Sequence, residues 1–308
     1  MIDPIQVLWS PAGLSMPSLG ARALVDVTDG DTPNIRMPIR MLSVDTPEVT
    51  ARTPDGAAKV DKKFLQLAEW MRERPADVPI SARLSKVLEP KLATGSAGTL
   101  HFTQGKSASA FEHENIDKRL RKDPPNEDEK RNLFIRIADA PFDNNNRLLA
   151  YIAPNYSTTE LAKLTRAQRG TFNLDLIAAG WAAPFILYPS IPGELDLPLF
   201  LEAAAAAVKG KKGIWSDKNT LLAYEYRAME KLFSIAKKGI EDGKPVTGAA
   251  RYGWRERYCA DLRTRVLHGP EDYIDVPPVY RLWIWPADVQ TAIGTLNLTP
   301  APRLVSAD

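Results

Sequence analysis

Two apolar runs early in the chain, residues 23–27 and 35–44, flank the turn-forming stretch TDGDTPN, a pattern that predicts a β-hairpin with Gly30 at the bend. Val60, Phe64, Leu67 and Met71 then recur at helical spacing and predict an amphipathic helix over about 57–73. VPISARLSKVL, from Val78 to Leu88, reads as a third strand, and LFIRIADAPF and RLLAYIA as two more. Three helical patterns follow. TTELAKLTRAQRG has Thr158 or Thr159 as N-cap and Gly170 as stop, FNLDLIAAG closes at Gly180, and LPLFLEAAAAAVKGKKG closes near Gly213. A further amphipathic helix to about residue 241 leads into a tail rich in Pro, Trp and Tyr. Strands first and helices later is an α+β order.

One stretch breaks this pattern. FEHENIDKRLRKDPPNEDEKR, residues 111–131, carries seven acids and six bases with little apolar content, too little to order itself by burial. Residues from about 89 to 131 therefore read as a solvated, partly disordered insertion. The organisation expected is an N-terminal arm over 1–22, a domain over 23–217 interrupted by that insertion, and a helical or irregular C-terminal extension over 218–308.

Composition narrows the partners. With 308 residues, 44% hydrophobic and 25% charged, the chain can bury a real core. Its formal charge of +2, from 40 basic and 38 acidic residues, gives no overall positive field, so an anionic partner must be met by a local patch. Cys259 is the sole cysteine, which excludes an internal disulfide and a cysteine metal cage. His101, His113 and His268 match no two-histidine helical motif. The first residues lack a basic region and a continuous apolar stretch of signal length, which predicts a cytoplasmic protein or a chain already trimmed of its signal. No stretch approaches the roughly 18 apolar residues of a membrane span. The oligomeric state is not set by the sequence.

Acids gather where strands end. Asp31 and Asp45 would close neighbouring strands, and DTPE adds the Thr46 carbonyl and Glu48, oxygen donors of the kind a hard cation takes. Each piece has a plain alternative, since DGD is a good turn and Thr46-Pro47-Glu48 a good helix start.

The combination points further. DGDT, then IRMLSVDTPE, DNNNRLLAYI, AAGWA and KGIWSD, in that order over most of residues 23–217, resembles the staphylococcal nuclease (thermonuclease-like) family. The resemblance implies a five-stranded OB-type β-barrel with helices packed on it. It also implies Ca²⁺-dependent phosphodiester hydrolysis with little sequence preference, acting on DNA and leaving 3′-phosphate ends, with RNA open as a second substrate. By the same resemblance Asp31 and Asp45 are calcium carboxylates, Thr46 gives a carbonyl ligand and Asp29 is an acid behind them. Arg40 and Arg147 are the phosphate-binding arginines, and Glu48 activates or orients the attacking water. Such chemistry needs positive charge to meet the transition state, and a guanidinium offers two parallel donors to it. A carboxylate can serve as the base.

The chain also departs from the family pattern. Asn144 and Asn145 stand where a lysine and a tyrosine are usual, and APFILYP keeps Tyr188 as a substrate-contact residue but has Ile186 at the paired position. A second class of function is a silent barrel that binds nucleic acid or protein without cutting, but binding-only members lose carboxylates or arginines that this chain keeps. A third reading gives the tail aromatics Tyr252, Trp254, Tyr258, Trp283 and Trp285 to base stacking, against the more usual role of such residues in a core.

Overall fold

The structure, a computed structural model, describes residues 18–122 and 130–305, so most of the expected arm and the acidic residues 123–129 lie outside it. Two compact units divide the chain, one made of residues up to Arg40 with Ile137–Ala150, the other of Met41–Arg136 with everything from Tyr151 onward.

In the smaller unit, β1 (Leu24–Val27) and β2 (Pro33–Ile35) pair antiparallel, with Thr28 and Thr32 closing the turn that contains Gly30. The apolar side chains Leu24, Val25, Val27 and Ile35 are all exposed. The run expected as one strand over 35–44 is broken into β2, β3 (Ile39–Met41) and β4 (Ser43–Asp45). Pro38 offers no N–H to a ladder, and Ser43 at φ 60° turns the chain between β3 and β4.

In the larger unit, which starts at Met41 and so holds β4, the first helix is the expected one, α1 (Pro54–Glu73), capped by Thr53, whose side chain accepts from the Gly56 N–H. The strand expected over Val78–Leu88 is instead part of a helix, α2 (Ala82–Leu92). Ser81 caps it through the Leu84 N–H, and Leu84, Leu88 and Leu92 are buried at a spacing of four. Those three leucines carry the helical period that the β-branched residues around them mask.

The supposed solvated insertion is also largely helical, with α3 spanning Ala97–Leu120. Its start is held by Asp61 of α1, whose carboxylate accepts from the Gly98 and Thr99 N–H groups at 2.6 and 3.0 Å. A Cβ on Gly98 would stand 2.8 Å from the Ala57 carbonyl, so α3 lies directly on the α1 backbone. This contact orders a segment whose own composition does not.

Next come β5 (Leu133–Phe142) and β6 (Leu148–Pro154), the two further strands expected, in a three-stranded sheet of order β3-β6-β5. The helices α4 (Thr158–Lys163) and α5 (Phe172–Ala178), strand β7 (Ala183–Leu187), and the helices α6 (Leu197–Lys209) and α7 (Ala223–Glu241) follow in chain order.

The tail is not the helical or irregular extension expected. After a short α8 (Gly248–Arg251) it contributes β8 (Tyr258–Asp261), β9 (Val266–His268), β10 (Arg281–Ile284) and β11 (Thr299–Pro300), with α9 (Val289–Leu296) before the last strand. These join β7 and β4 in a six-stranded sheet of order β11-β9-β8-β10-β7-β4. β10 runs parallel to β7 through Leu282↔Ile186, and β4 antiparallel to it through Asp45↔Ala183. Strands of two to four residues are too short to show alternation, which is why they escape a pattern search. Among the described residues the sheets are open and none closes into the expected five-stranded barrel.

The largest core joins α1, α2 and α7 through Phe64, Leu67, Leu88, Met229 and Leu232, with Trp254 and Trp283 of the tail buried in it. Tyr252 and Trp285 are exposed and carry Arg255 and Arg257 on their faces, so the tail aromatics divide between core and surface. No helix among the described residues is long and apolar enough to cross a membrane.

Candidate active site

β4 is the edge strand of the six-stranded sheet, and it delivers Asp45 at its end. Two side chains fix that strand. Asn173, fully buried at the start of α5, donates to the Leu42 carbonyl at 2.8 Å and accepts from the Ile152 N–H at 3.1 Å. Ser43 Oγ lies 2.6 Å from the Tyr151 hydroxyl. Past Thr46 and buried Pro47, the Glu48 backbone N–H donates to His101 Nε2 of α3 at 2.8 Å. Asp45, Thr46 and Glu48 are therefore anchored from both sides.

Facing them is a residue that no motif in the sequence marks. Arg227 of α7 donates from Nη1 to Asp45 Oδ1 at 3.1 Å and to Glu48 Oε1 at 2.6 Å, and from Nη2 to Asp45 Oδ2 at 2.8 Å. The Asp45 side chain is 1% exposed, Glu48 24% and Arg227 29%. Burial works against the guanidinium charge, but Asp45 and then Glu48 outweigh it and hold Arg227 firmly protonated. The neighbouring Tyr226 ring stacks on His101 with centroids 3.9 Å apart. Burial drives the His101 imidazole down to about 3; the Leu221 backbone opposes this and Arg227 adds to it. His101 is thus neutral and free to accept at Nε2.

The other residues named from sequence are placed as follows. Arg147 stands at the tip of the β5–β6 hairpin, where Asp143 Oδ2 accepts from its Nε at 2.8 Å and lies 2.6 Å from its Nη2 in an ion pair. Asp143 Oδ1 also accepts the backbone N–H groups of Asn145 and Arg147, so one carboxylate shapes the turn and aims the arginine. Arg40 lies half-buried in β3. Asp31 is exposed in the β1–β2 turn, accepting from Thr32 Oγ1 at 3.1 Å, and the nearby Asp29 carboxyl is lowered first by its hydrogen bond with Thr32 and then by one with Asp31. Tyr188 is tied at its hydroxyl to Thr295 Oγ1 at 3.0 Å, and Ile186 is fully buried.

A calcium ion takes six to eight oxygens at about 2.3–2.6 Å. Among the described residues no group of three His, Cys, Asp or Glu side chains converges to hold one. Both oxygens of Asp45, the one deeply buried carboxylate in the expected set, already receive guanidinium N–H groups. As arranged, this donor set does not fit a resident divalent cation.

Sequence reasoning misses Arg227, His101, Asn173 and Asp143. Asp143 alone has a local signal, an Asp at the start of an Asn-rich turn. The others act over separations that no local pattern reports.

Comparison with known proteins gives the class. Residues 81–217, under half of the chain, match the family model described as staphylococcal nuclease homologue. Endonuclease YhcR of Bacillus subtilis (strain 168) is 27% identical over 133 residues, which is 42% of this chain and 9% of that protein. The chain therefore spans a small part of that relative's length. The family resemblance read from the motifs is borne out over 81–217, a segment that contains Arg147 and begins after Asp31, Arg40, Asp45 and Glu48.

Proposed function

We propose that this chain is a nuclease that hydrolyses phosphodiester bonds of DNA, and of RNA as a second substrate, with little sequence preference and 3′-phosphate ends. The observation that carries the reading is the nuclease-homologue match over 81–217, which includes the Arg147 hairpin. In this reading Arg40 and Arg147 meet phosphate oxygens with paired N–H donors. Glu48 takes a proton from the attacking water at a carboxylate oxygen while Arg227 holds its Oε1. Tyr188 contacts substrate, and Asp29 supports the acidic turn. Calcium dependence, with Asp31, Asp45 and the Thr46 carbonyl as ligands, is the expectation that Arg227 opposes, so each step here is assigned to the chain's own residues.

The same Arg227 contact favours a second reading, a nuclease-like module that binds nucleic acid or protein without cutting. Incubating the purified protein with plasmid, single-stranded DNA and RNA, each with Ca²⁺ and with excess chelator, separates the two. Cleavage supports the nuclease. Retention of intact nucleic acid under every condition removes it in favour of the binding module.

A further inference from the structure

Three features of the Asp45 site belong together. First, a single guanidinium touches three carboxylate oxygens, and its Nη1 lies between Asp45 Oδ1 and Glu48 Oε1, where a cation bridging the two acids would sit. Second, the Asp45 side chain is 1% exposed, and a buried carboxylate is costly without a partner, for which a two-pronged arginine is the strongest side-chain remedy. Third, α7 cannot carry Arg227 away as a body, since Tyr224, Tyr226 and Met229 on the same helix are buried. The Arg227 side chain, 29% exposed on a flexible stem, is the part that reaches solvent.

We propose that Arg227 is the built-in cation of the Asp45–Glu48 pair, standing where a divalent ion would bridge the two acids, so that the site takes a divalent ion only when the guanidinium is removed or displaced. The inference rests on the nuclease reading only for the importance attached to these acids. Its physical content is competition between two kinds of cation for the same oxygens. A divalent ion arriving with Arg227 still in place would meet a guanidinium held within hydrogen-bond distance of both oxygens of Asp45. Glu230 interacts electrostatically with Glu48 and Arg227, and Lys63 with Glu230; burial raises the Glu230 carboxyl, with Lys63 opposing and Glu48 adding to the rise. His101, being neutral, adds no charge. Arg227, Asp45 and Glu48 all lie outside residues 81–217, so the device is a property of the chain beyond its nuclease-homologue segment.

Isothermal titration with Ca²⁺ and with Mn²⁺ tests this on the full chain and on Arg227→Met, Arg227→Lys and Arg227→Met/Asp45→Asn. The wild type is expected to show no saturable binding at these acids below about 1 mM, the weak end of protein calcium sites. Arg227→Met should bind at least about tenfold tighter, and adding Asp45→Asn should abolish the gain. Arg227→Lys, whose ammonium cannot span three oxygens, should fold and show a smaller gain in the same direction. Should Arg227→Met fail to fold, the lysine variant decides alone. Wild-type binding as tight as that of the folded variants, or no gain in any folded variant, overturns the proposal. Cleavage of plasmid is scored separately in the same samples: a gain in ion binding without any cleavage upholds the competition and removes the nuclease reading, whereas cleavage without the gain does the opposite.

Discussion

His101 on α3 accepts a hydrogen bond from the Glu48 backbone, so a buried imidazole holds one acid of the Asp45–Glu48 pair by its main chain. That imidazole is neutral in the fold, held down to about 3 against an ordinary value of 6.5. Between those values the unfolded chain binds a proton that the folded one refuses, so this contribution is complete above pH 6.5 and is lost as the pH falls toward 3. A tenfold change in proton affinity between the two states corresponds to about 1.4 kcal/mol. His101→Gln keeps an acceptor for the Glu48 N–H and should flatten the acid side of the stability curve. Denaturant midpoints from pH 4 to 7 check this; equal slopes in both proteins would refute it.

Glu112, further along α3, predicts the opposite slope. Neither carboxyl oxygen has a hydrogen-bond partner among the described residues. Burial first, and Asp175 second, push its carboxyl up to about 8, with Arg119 opposing. The folded protein therefore holds a proton that the unfolded chain releases from pH 4.5 upward, and stability falls as the pH rises from 4.5 to 8. Glu112→Gln should gain stability over wild type at pH 8 and gain little at pH 4.5. Because the His101 and Glu112 windows overlap between pH 4.5 and 6.5, their slopes partly cancel there in the wild type. A Glu112→Gln variant whose advantage does not grow with pH would show that this carboxyl is not protonated in the fold.

Gly105 predicts a link between packing and site. A Cβ at this position would stand 2.8 Å from the Pro47 carbonyl and 3.1 Å from that of Glu48, so α3 packs against the loop that carries Glu48. Gly105→Ala must push that loop away, at a cost of about 1–3 kcal/mol for overpacking. Gly30, by contrast, has open space around it, and Gly30→Ala should be tolerated far better. Thermal unfolding of both variants measures the difference.

These residues also show how far the sequence can be read. The turn around Gly30, α1, the strands β5 and β6 and the helices from α5 to α7 are legible because each carries its period or its caps in one short window. By contrast, α4 is capped by Ser157 rather than Thr158 or Thr159 and ends at Lys163, short of the expected stop at Gly170. α2 is hidden because Val78, Ile80 and Val87 suggest a strand while the deciding signal is the burial of Leu84, Leu88 and Leu92. α3 is hidden because its order comes from Asp61 and the Ala57 backbone, distant in sequence. Asp45 and Glu48 stand out through the DTPE motif, but their partner Arg227 follows 182 and 179 residues later. Inside an amphipathic helix, an arginine that reaches a buried acid looks like one that faces solvent.

The hairpin arginine gives the sharpest test of the nuclease reading. Asp143 accepts from Arg147 Nε and pairs with its Nη2 while also accepting two backbone N–H groups of the turn, which leaves the guanidinium plane set by the turn itself. The Asp143 carboxyl is accordingly lowered: burial opposes this, but the Arg147 backbone and side chain, together with the Asn145 N–H, outweigh it. Arg147→Lys keeps the charge and loses the fork, so it should cost orders of magnitude in turnover. Asp143→Asn keeps an acceptor for the turn but loses the charge that aims the arginine, and it should lower kcat/KM by about tenfold, consistent with loss of about 1.4 kcal/mol of positioning. Both variants should unfold within about 1 kcal/mol of wild type, since Arg147 is 34% and Asp143 18% exposed and the pair is local to the hairpin. Asp143 acting through Arg147 has a signature of its own: once Arg147 is lysine, Asp143→Asn should cost little more, whereas independent roles would make the two losses multiply. Turnover and denaturant midpoints for the wild type, both single variants and the double variant supply the cycle, and wild-type turnover in a folded Arg147→Lys would remove Arg147 from the reaction.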